Sequence, residues 1–290
     1  MALQFSGRSE NGLIKMERKV LTVIRWILIA ALLALVLLPE YWIFLSSITP
    51  ESKILTSPIH YLPQEPTLEN YNILLSIIDL KTHGSNTMII IFFSMLLNLT
   101  ISIPASYAFA RLPFKGSGLI FAFIFGSTML PASCTIIPMF ELFRSLKLIG
   151  TFHGLIILYA SSFIPFTTLT FMTFYSGIPK SIEEAAEIDG AGIFRKMITI
   201  IIPLLRPAIA TLCIITFVNG MNEFMAPLIF GGKIKTLSLG ITQIPRPTIY
   251  SEPWNLISSY AAIILTPVII FVLIFEKNIM DGLISGGIKE

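Results

Sequence analysis

The hydrophobic positions of the chain fall into long blocks separated by polar connectors. A helix needs about 20 predominantly apolar residues to cross the hydrocarbon core of a bilayer. Six blocks meet that length, at 26–46, 87–110, 119–140, 155–174, 207–230 and 256–275. Only the first and fifth contain a charged residue, Glu40 and Glu223. Every block holds a proline: Pro39, Pro104, Pro131 with Pro138, Pro165, Pro227 and Pro267. Proline removes a backbone hydrogen bond and bends a helix, which a bilayer tolerates where neighbours or a cavity satisfy the freed carbonyls. The pattern predicts an all-α membrane protein with six transmembrane helices, a short N-terminal segment 1–25 and one transmembrane domain over 26–290.

Composition agrees, with 54% hydrophobic residues, 13% charged residues and a mean hydropathy of +0.80. A soluble domain carries about 25% charged residues. Orientation follows from the basic residues between the blocks. The segments 1–25, 111–118, 175–206 and 276–290 hold thirteen of the twenty Lys and Arg, so this side is predicted cytoplasmic, with both termini on it. The net charge of +3 expresses that bias and gives no reason to expect nucleic acid. Lys15, Arg18, Lys19 and Arg25 precede the first block as they would in a secretory signal. At 21 residues the block is too long for one, and no small-residue cleavage pattern follows, so an uncleaved first span is expected. Cys134 and Cys213 lie in separate blocks and read as small apolar packing residues.

The outward connector 47–86 contains SPIHYLPQEPTLENYNILLS, proline-rich and then helix-like after Thr67. The connector 231–255 is polar, turn-rich and long enough to reach a docked partner. A phosphate-cradling G-x-x-x-x-G-K-[ST] loop is absent, since GGKI at Gly231 lacks both the leading glycine spacing and the hydroxyl residue. The chain by itself is therefore not expected to hydrolyse ATP. His60, His83 and His153 are scattered without metal-ligand spacing, and no Ser/His/Asp or Cys/His set is discernible, so neither a metal site nor an enzyme is expected.

The polar exception is SIEEAAEIDGAGIFRKMITIIIPLLRP, residues 181–207. Ser181 with Glu184 three positions on makes a capping box that opens a helix at Ile182. Asp189 and Gly190 end it, glycine being suited to the left-handed conformation of a tight helix end. A second helix is expected from Gly192 to Ile202, broken by Pro203. Ala185 and Ala186 leave a narrow patch for close approach. Glu183, Glu184 and Glu187 supply acids beside it, balanced by Arg195 and Lys196 on the second arm. The same residues also suit an amphipathic interfacial helix whose charges are solvated.

Within this hairpin Glu184, Ala185 and Ala186 are followed by Gly190 and then by Ile200, Ile202 and Pro203. That spacing resembles the signature of the permease subunits of bacterial ABC importers, with Ile202 where leucine is usual. LPQEPTLENY, SYAFARLPFKG, PLLRPAIAT, NEFMAPLIF and the ending GLISGGIKE extend the resemblance over nearly all of the chain, toward the maltose-type, carbohydrate-importing branch. The resemblance implies a bacterial inner-membrane location, a second homologous permease as heterodimer partner, two ATP-binding subunits and an extracytoplasmic solute-binding protein. It implies that ATP and magnesium are held by the ATPase subunits, with no cofactor on this chain. It further implies that the hairpin inserts into an ATPase cleft, with Glu184 pairing to a basic group there and Gly190 allowing the turn. Glu183, Ala185, Ala186, Glu187, Asp189 and Pro203 complete the expected coupling set.

Asn222 and Glu223 in the fifth block, with Asn98 and Glu40 behind them, are the candidate pathway residues, because polar groups at membrane depth are costly and usually face a cavity or a partner. Two other readings share these features. An ABC permease for a polyamine, phosphate or glycerol phosphodiester would carry the same hairpin. An ion-coupled secondary carrier would use Glu40 and Glu223 as ion sites, but it calls for internal repeats and midplane acids that the chain does not display.

Overall fold

The structure, a computed structural model, describes residues 6–58, 60–112, 114–246 and 251–287, and side chains within 18–131 (59 and 113 apart), 133–246 and 251–275. Parts of the segment 1–25, of the ending GLISGGIKE and of the connector 231–255 lie outside the described residues. The described chain is helical, without a strand: α1 Ser6–Ser47, α2 Glu69–Ile77, α3 Leu80–Arg111, α4 Ser117–Ser127, α5 Ala132–Ser145, α6 Phe152–Gly177, α7 Lys180–Ile188, α8 Ile193–Leu204, α9 Arg206–Asn222, α10 Met225–Phe230 and α11 Trp254–Gly287.

Among the described residues four stretches are single helices long and apolar enough to cross a membrane: Arg18–Ser47, Leu80–Arg111, Phe152–Gly177 and Trp254–Phe275. A fifth results if α8 and α9, bent by 73° across Leu205, count together. These helices run continuously through Pro39, Pro104, Pro165 and Pro267. Two expected blocks are instead interrupted. The block 119–140 divides into α4 and α5, with Pro131 in an extended conformation as the N-cap of α5. The block 207–230 divides at Glu223, whose backbone is extended. The cause lies four residues on, where Pro227 has no N–H to give the Glu223 carbonyl. That carbonyl accepts instead from Ser238 Oγ at 2.6 Å, while Glu223 Oε1 accepts from the Ala226 N–H at 2.9 Å.

The chain forms two compact units. The first comprises 1–74 and 246–262 and is held by a buried polar knot. Asn70 donates to the carbonyls of Ser47 and Thr49 at 2.9 and 3.0 Å, Asn255 donates to Asn70 Oδ1 at 2.9 Å, and Ser259 Oγ donates to the Ser47 carbonyl at 2.9 Å. Thr67 precedes α2 as the sequence predicts, its Oγ1 accepting from the Glu69 N–H.

The second unit comprises 75–245 and 263–290. Its centre is the pairing of α3 with α6. Small hydroxyl and amide residues line that seam, as expected where lipid removes the hydrophobic drive for helices to associate. Asn98 Nδ2 donates to Thr167 Oγ1 at 2.9 Å, Ser102 Oγ donates to Asn98 Oδ1 at 2.9 Å, and Ser94 Oγ donates to the Ile156 carbonyl at 3.1 Å. α9 approaches α3 closely through Gly220, where an added Cβ would meet Ile91 Cγ1 at 2.7 Å. At one end of the seam, Ile103, Tyr107, Phe171, Tyr175, Ile201, Leu205, Ala208 and Leu212 form a buried apolar cluster.

Replacing Asn98 by leucine keeps its volume but removes its bonds to Thr167 and Ser102. We expect Asn98→Leu to lower the unfolding free energy in detergent by about 1–2 kcal/mol, read as a lower Tm. An unchanged Tm would show that the amide does not join the helices.

Candidate functional site

The hairpin of α7 and α8 stands on that apolar cluster. α7 opens at Lys180 with Pro179 as N-cap and no side-chain cap bond, so the expected capping box of Ser181 and Glu184 is not formed. Proline, with φ already near the helical value, begins the helix upstream, which leaves Ser181 inside the first turn. The far end agrees with the sequence. Gly190 has φ 77°, the Ala191 N–H donates to the Ala186 carbonyl at 2.9 Å, and the Gly190 N–H donates to the Glu187 carbonyl at 2.9 Å. This paired arrangement closes a helix only when the residue after the cap is left-handed.

α8 differs from its expected course. Its middle, Met197–Ile201, is wound as a π-turn, with the Ile202 N–H donating to the Met197 carbonyl. Pro203 does not end the arm; it lies within the helical stretch that follows, and the break comes at Leu205. A proline has no N–H for the carbonyl four residues back, and the wider turn just before it lets the helix continue.

The three acids separate into different roles. Glu184 is exposed, as are Ala185, Asp189 and Gly190, while Ala186 is buried and Pro203 half-buried. Glu183 turns inward and is only 7% exposed. Its Oε1 accepts from Arg111 Nε at 2.8 Å and its Oε2 from the Tyr107 hydroxyl at 2.9 Å. Arg111 Nη2 donates in addition to the carbonyls of Tyr175, at 2.9 Å, and Ile178. A guanidinium thus caps the C-terminus of α6, where the helix dipole favours a cation, and neutralises a buried carboxylate of α7. The rings of Tyr107 and Tyr175 meet edge to face with centroids 5.7 Å apart. Lys196 of α8 is itself buried and donates to the more exposed Glu187 of α7, clasping the two arms. Arg195 remains exposed.

Beside the turn two large apolar side chains are exposed. Ile188 and Phe194, on either side of the Gly190 turn, are 86% and 84% exposed. Arg111 and these exposed apolar residues have no role assigned from sequence, and Tyr107 reads there only as an aromatic that could stack on a sugar ring. A signal was present: Tyr107 and Arg111 stand four apart, on one face of a helix, at the end of a block that otherwise carries no charge.

The pathway candidates occupy different surroundings. Asn98 is enclosed in the seam between α3 and α6, its amide engaged by Thr167 and Ser102. Asn222 is exposed and donates to the Val218 carbonyl of its own helix at 3.0 Å, and Asn219, one turn earlier, is also exposed and bonded likewise to Ile215. Glu223 is half-buried at the break between α9 and α10, its carboxylate capping α10. Glu40 Oε2, in the first unit, is enclosed with no hydrogen-bond partner among the described residues. Among those residues no three of His, Cys, Asp and Glu gather as a metal site requires.

Comparison with known proteins agrees with the resemblance seen in the sequence. Residues 102–284, which include the hairpin, match the family described as the binding-protein-dependent transport system inner membrane component. The sulfoquinovosyl glycerol transport system permease protein SmoH of Agrobacterium fabrum is 32% identical over 268 residues, covering 92% of this chain and 93% of that one. The trehalose/maltose transport system permease protein MalG of Thermococcus litoralis is 31% identical over 280 residues, covering 94% and 99%. In fold, a chain from the crystal structure of a bacterial ABC transporter involved in the import of the acidic polysaccharide alginate superposes with a TM-score of 0.78 over 90% of this chain and 97% of that one, at 22% identity. The chain belongs to the binding-protein-dependent transport system inner membrane component family and is a transport permease subunit, not an enzyme.

Proposed function

We propose that the chain forms half of the translocation pathway of an ATP-driven importer for a sugar or oligosaccharide. The observation that carries the substrate class is the near full-length similarity to permeases named for sulfoquinovosyl glycerol and for trehalose and maltose. In this reading the chain crosses a bacterial inner membrane six times, the crossings at 119–140 and 207–230 being the interrupted ones, with both termini and the hairpin cytoplasmic. A second, homologous permease completes the pathway. Two ATP-binding subunits hold ATP and magnesium, and an extracytoplasmic binding protein delivers the solute to the outward connectors.

The hairpin is the contact with an ATPase subunit. Its geometry supports this role: the arms are clasped by Lys196 and Glu187, the base is anchored through Glu183, and Ile188 and Phe194 are exposed on either side of the turn. Exposed large apolar side chains at a polar tip are costly in water and useful in an interface, where apolar anchors carry most of the binding energy. Glu184, exposed beside them, supplies the charge for a basic group on the ATPase. When ATP closes the two ATPase subunits, hairpin and attached helices move between inward-facing and outward-facing arrangements. Nucleotide drives this only as far as it binds one arrangement better than the other.

A C-terminally tagged chain, extracted in mild detergent, is expected to retain two copies of an ATPase and one homologous permease, and trehalose or maltose with the binding protein to raise ATP hydrolysis. A stable chain recovered alone would refute the proposal. Ile188→Asp together with Phe194→Asp is expected to abolish ATPase retention while the chain still inserts, read by co-purification. At Gly190 an added Cβ meets nothing within 4 Å, so only the positive φ discriminates among residues. Asparagine tolerates that conformation and proline forbids it. Gly190→Asn should therefore preserve sugar uptake per ATP, whereas Gly190→Pro should reduce it by about tenfold or more, with insertion unchanged; equal uptake by both would contradict the role given to the turn.

A further inference from the structure

Chain connectivity joins the hairpin to α6, through Ile178 and Pro179, and to α9, through Leu205. It does not join the hairpin to α3, since 72 residues separate Arg111 from Glu183. Yet α3 is the helix to which the hairpin makes its most directional contacts, Arg111 and Tyr107 both ending on the Glu183 carboxylate. The neighbouring apolar cluster also touches α3, but apolar packing has no fixed direction and permits sliding. An ion pair with two defined donors does not. Stability alone gives little reason for such a pair, because well-packed apolar residues of similar volume usually serve as well or better in a buried position.

We infer that Arg111, with Tyr107, is a positioning residue of the transport cycle: through Glu183 it holds α3 and the end of α6 in register with the hairpin, so that hairpin displacement is delivered to α3 as well as to the covalently attached helices. The inference rests on the coupling role proposed above. Arg111 suits it because one guanidinium reaches three elements, the Glu183 carboxylate of α7, the last carbonyls of α6 and its own helix α3. Lysine at this position retains the charge but not the fork.

The test uses the full chain assembled with its ATPase subunits in nanodiscs, after Cys134 and Cys213 are replaced by serine. Spin labels on Phe92 of α3 and Ser181 of α7, both exposed, report their separation by pulsed electron resonance. A second pair, Ser181 and a residue on the ATPase, reports docking. Samples are measured without nucleotide and with magnesium and a slowly hydrolysed ATP analogue. The expected result is one narrow Phe92–Ser181 distance, the same in both nucleotide states. In Arg111→Lys and Arg111→Gln this distance broadens and becomes nucleotide-dependent, while docking and basal ATP hydrolysis persist. Tyr107→Phe, which removes a single hydrogen bond, gives a smaller change in the same direction and serves if the charge variants do not assemble. A wild-type distance that itself shifts with nucleotide, or variants that retain the wild-type distribution, would overturn the inference while leaving hairpin docking intact. Failure of the wild-type chain to hold ATPase subunits would overturn both this inference and the proposed function.

Discussion

A carboxylate taken out of water must be neutralised where it lies, and this constraint on Glu183 organises the end of the molecule that bears the hairpin. Its two oxygens call for donors, and Arg111 and Tyr107 supply them from a helix that ended 72 residues earlier. Arg111 in turn donates to the Ile178 carbonyl and to the Tyr175 carbonyl, which also accepts from the Ile178 N–H at the end of α6. Three elements thereby complete one another's unmet valences. Removing one member of such a buried pair costs about 3–5 kcal/mol because the other charge remains, which makes the arrangement a single unit rather than a set of contacts.

The same logic operates away from charge. Polar side chains also answer backbone groups left open inside the apolar region. Ser238 answers the Glu223 carbonyl that Pro227 leaves open, and Glu223 caps the short helix that follows. Asn70 gathers the end of α1, and Asn98 joins α3 to α6. Many polar side chains among the described residues bond the chain's own backbone or line its helix seams. Asn219 and Asn222 are exposed on a helical face, each amide bonded to a carbonyl of its own helix.

The hairpin combines these rules with a third. Its first arm is polar, it buries one acid and one lysine, and large apolar side chains are exposed on either side of its turn. A free amphipathic surface helix would turn its apolar side chains toward the lipid or the core. Here Ile188 and Phe194 flank a turn whose left-handed glycine projects them away from the helices. In the proposed function, the anchored base and the exposed apolar side chains beside the turn suit a part that is pushed by an ATPase subunit.

The sequence by itself determined the features that depend on local composition. Runs of apolar residues specify membrane-length helices, Gly190 specifies the turn of the hairpin, and the spacing from Glu184 to Pro203 specifies the family, because each is written in contiguous residues. Only the tertiary structure decided which of the adjacent acids faces inward. Glu183 and Glu184 are chemically alike and differ by one step around a helix, and the choice between them lies with Arg111, remote in the chain. The same holds for Asn98, which reads as a pathway residue until Thr167 is found opposite it, and for the break at Glu223, where Pro227 permits the interruption and Ser238 supplies the donor. Helices are encoded by nearest neighbours, whereas the satisfaction of a buried polar group depends on whichever distant residue the fold brings to it.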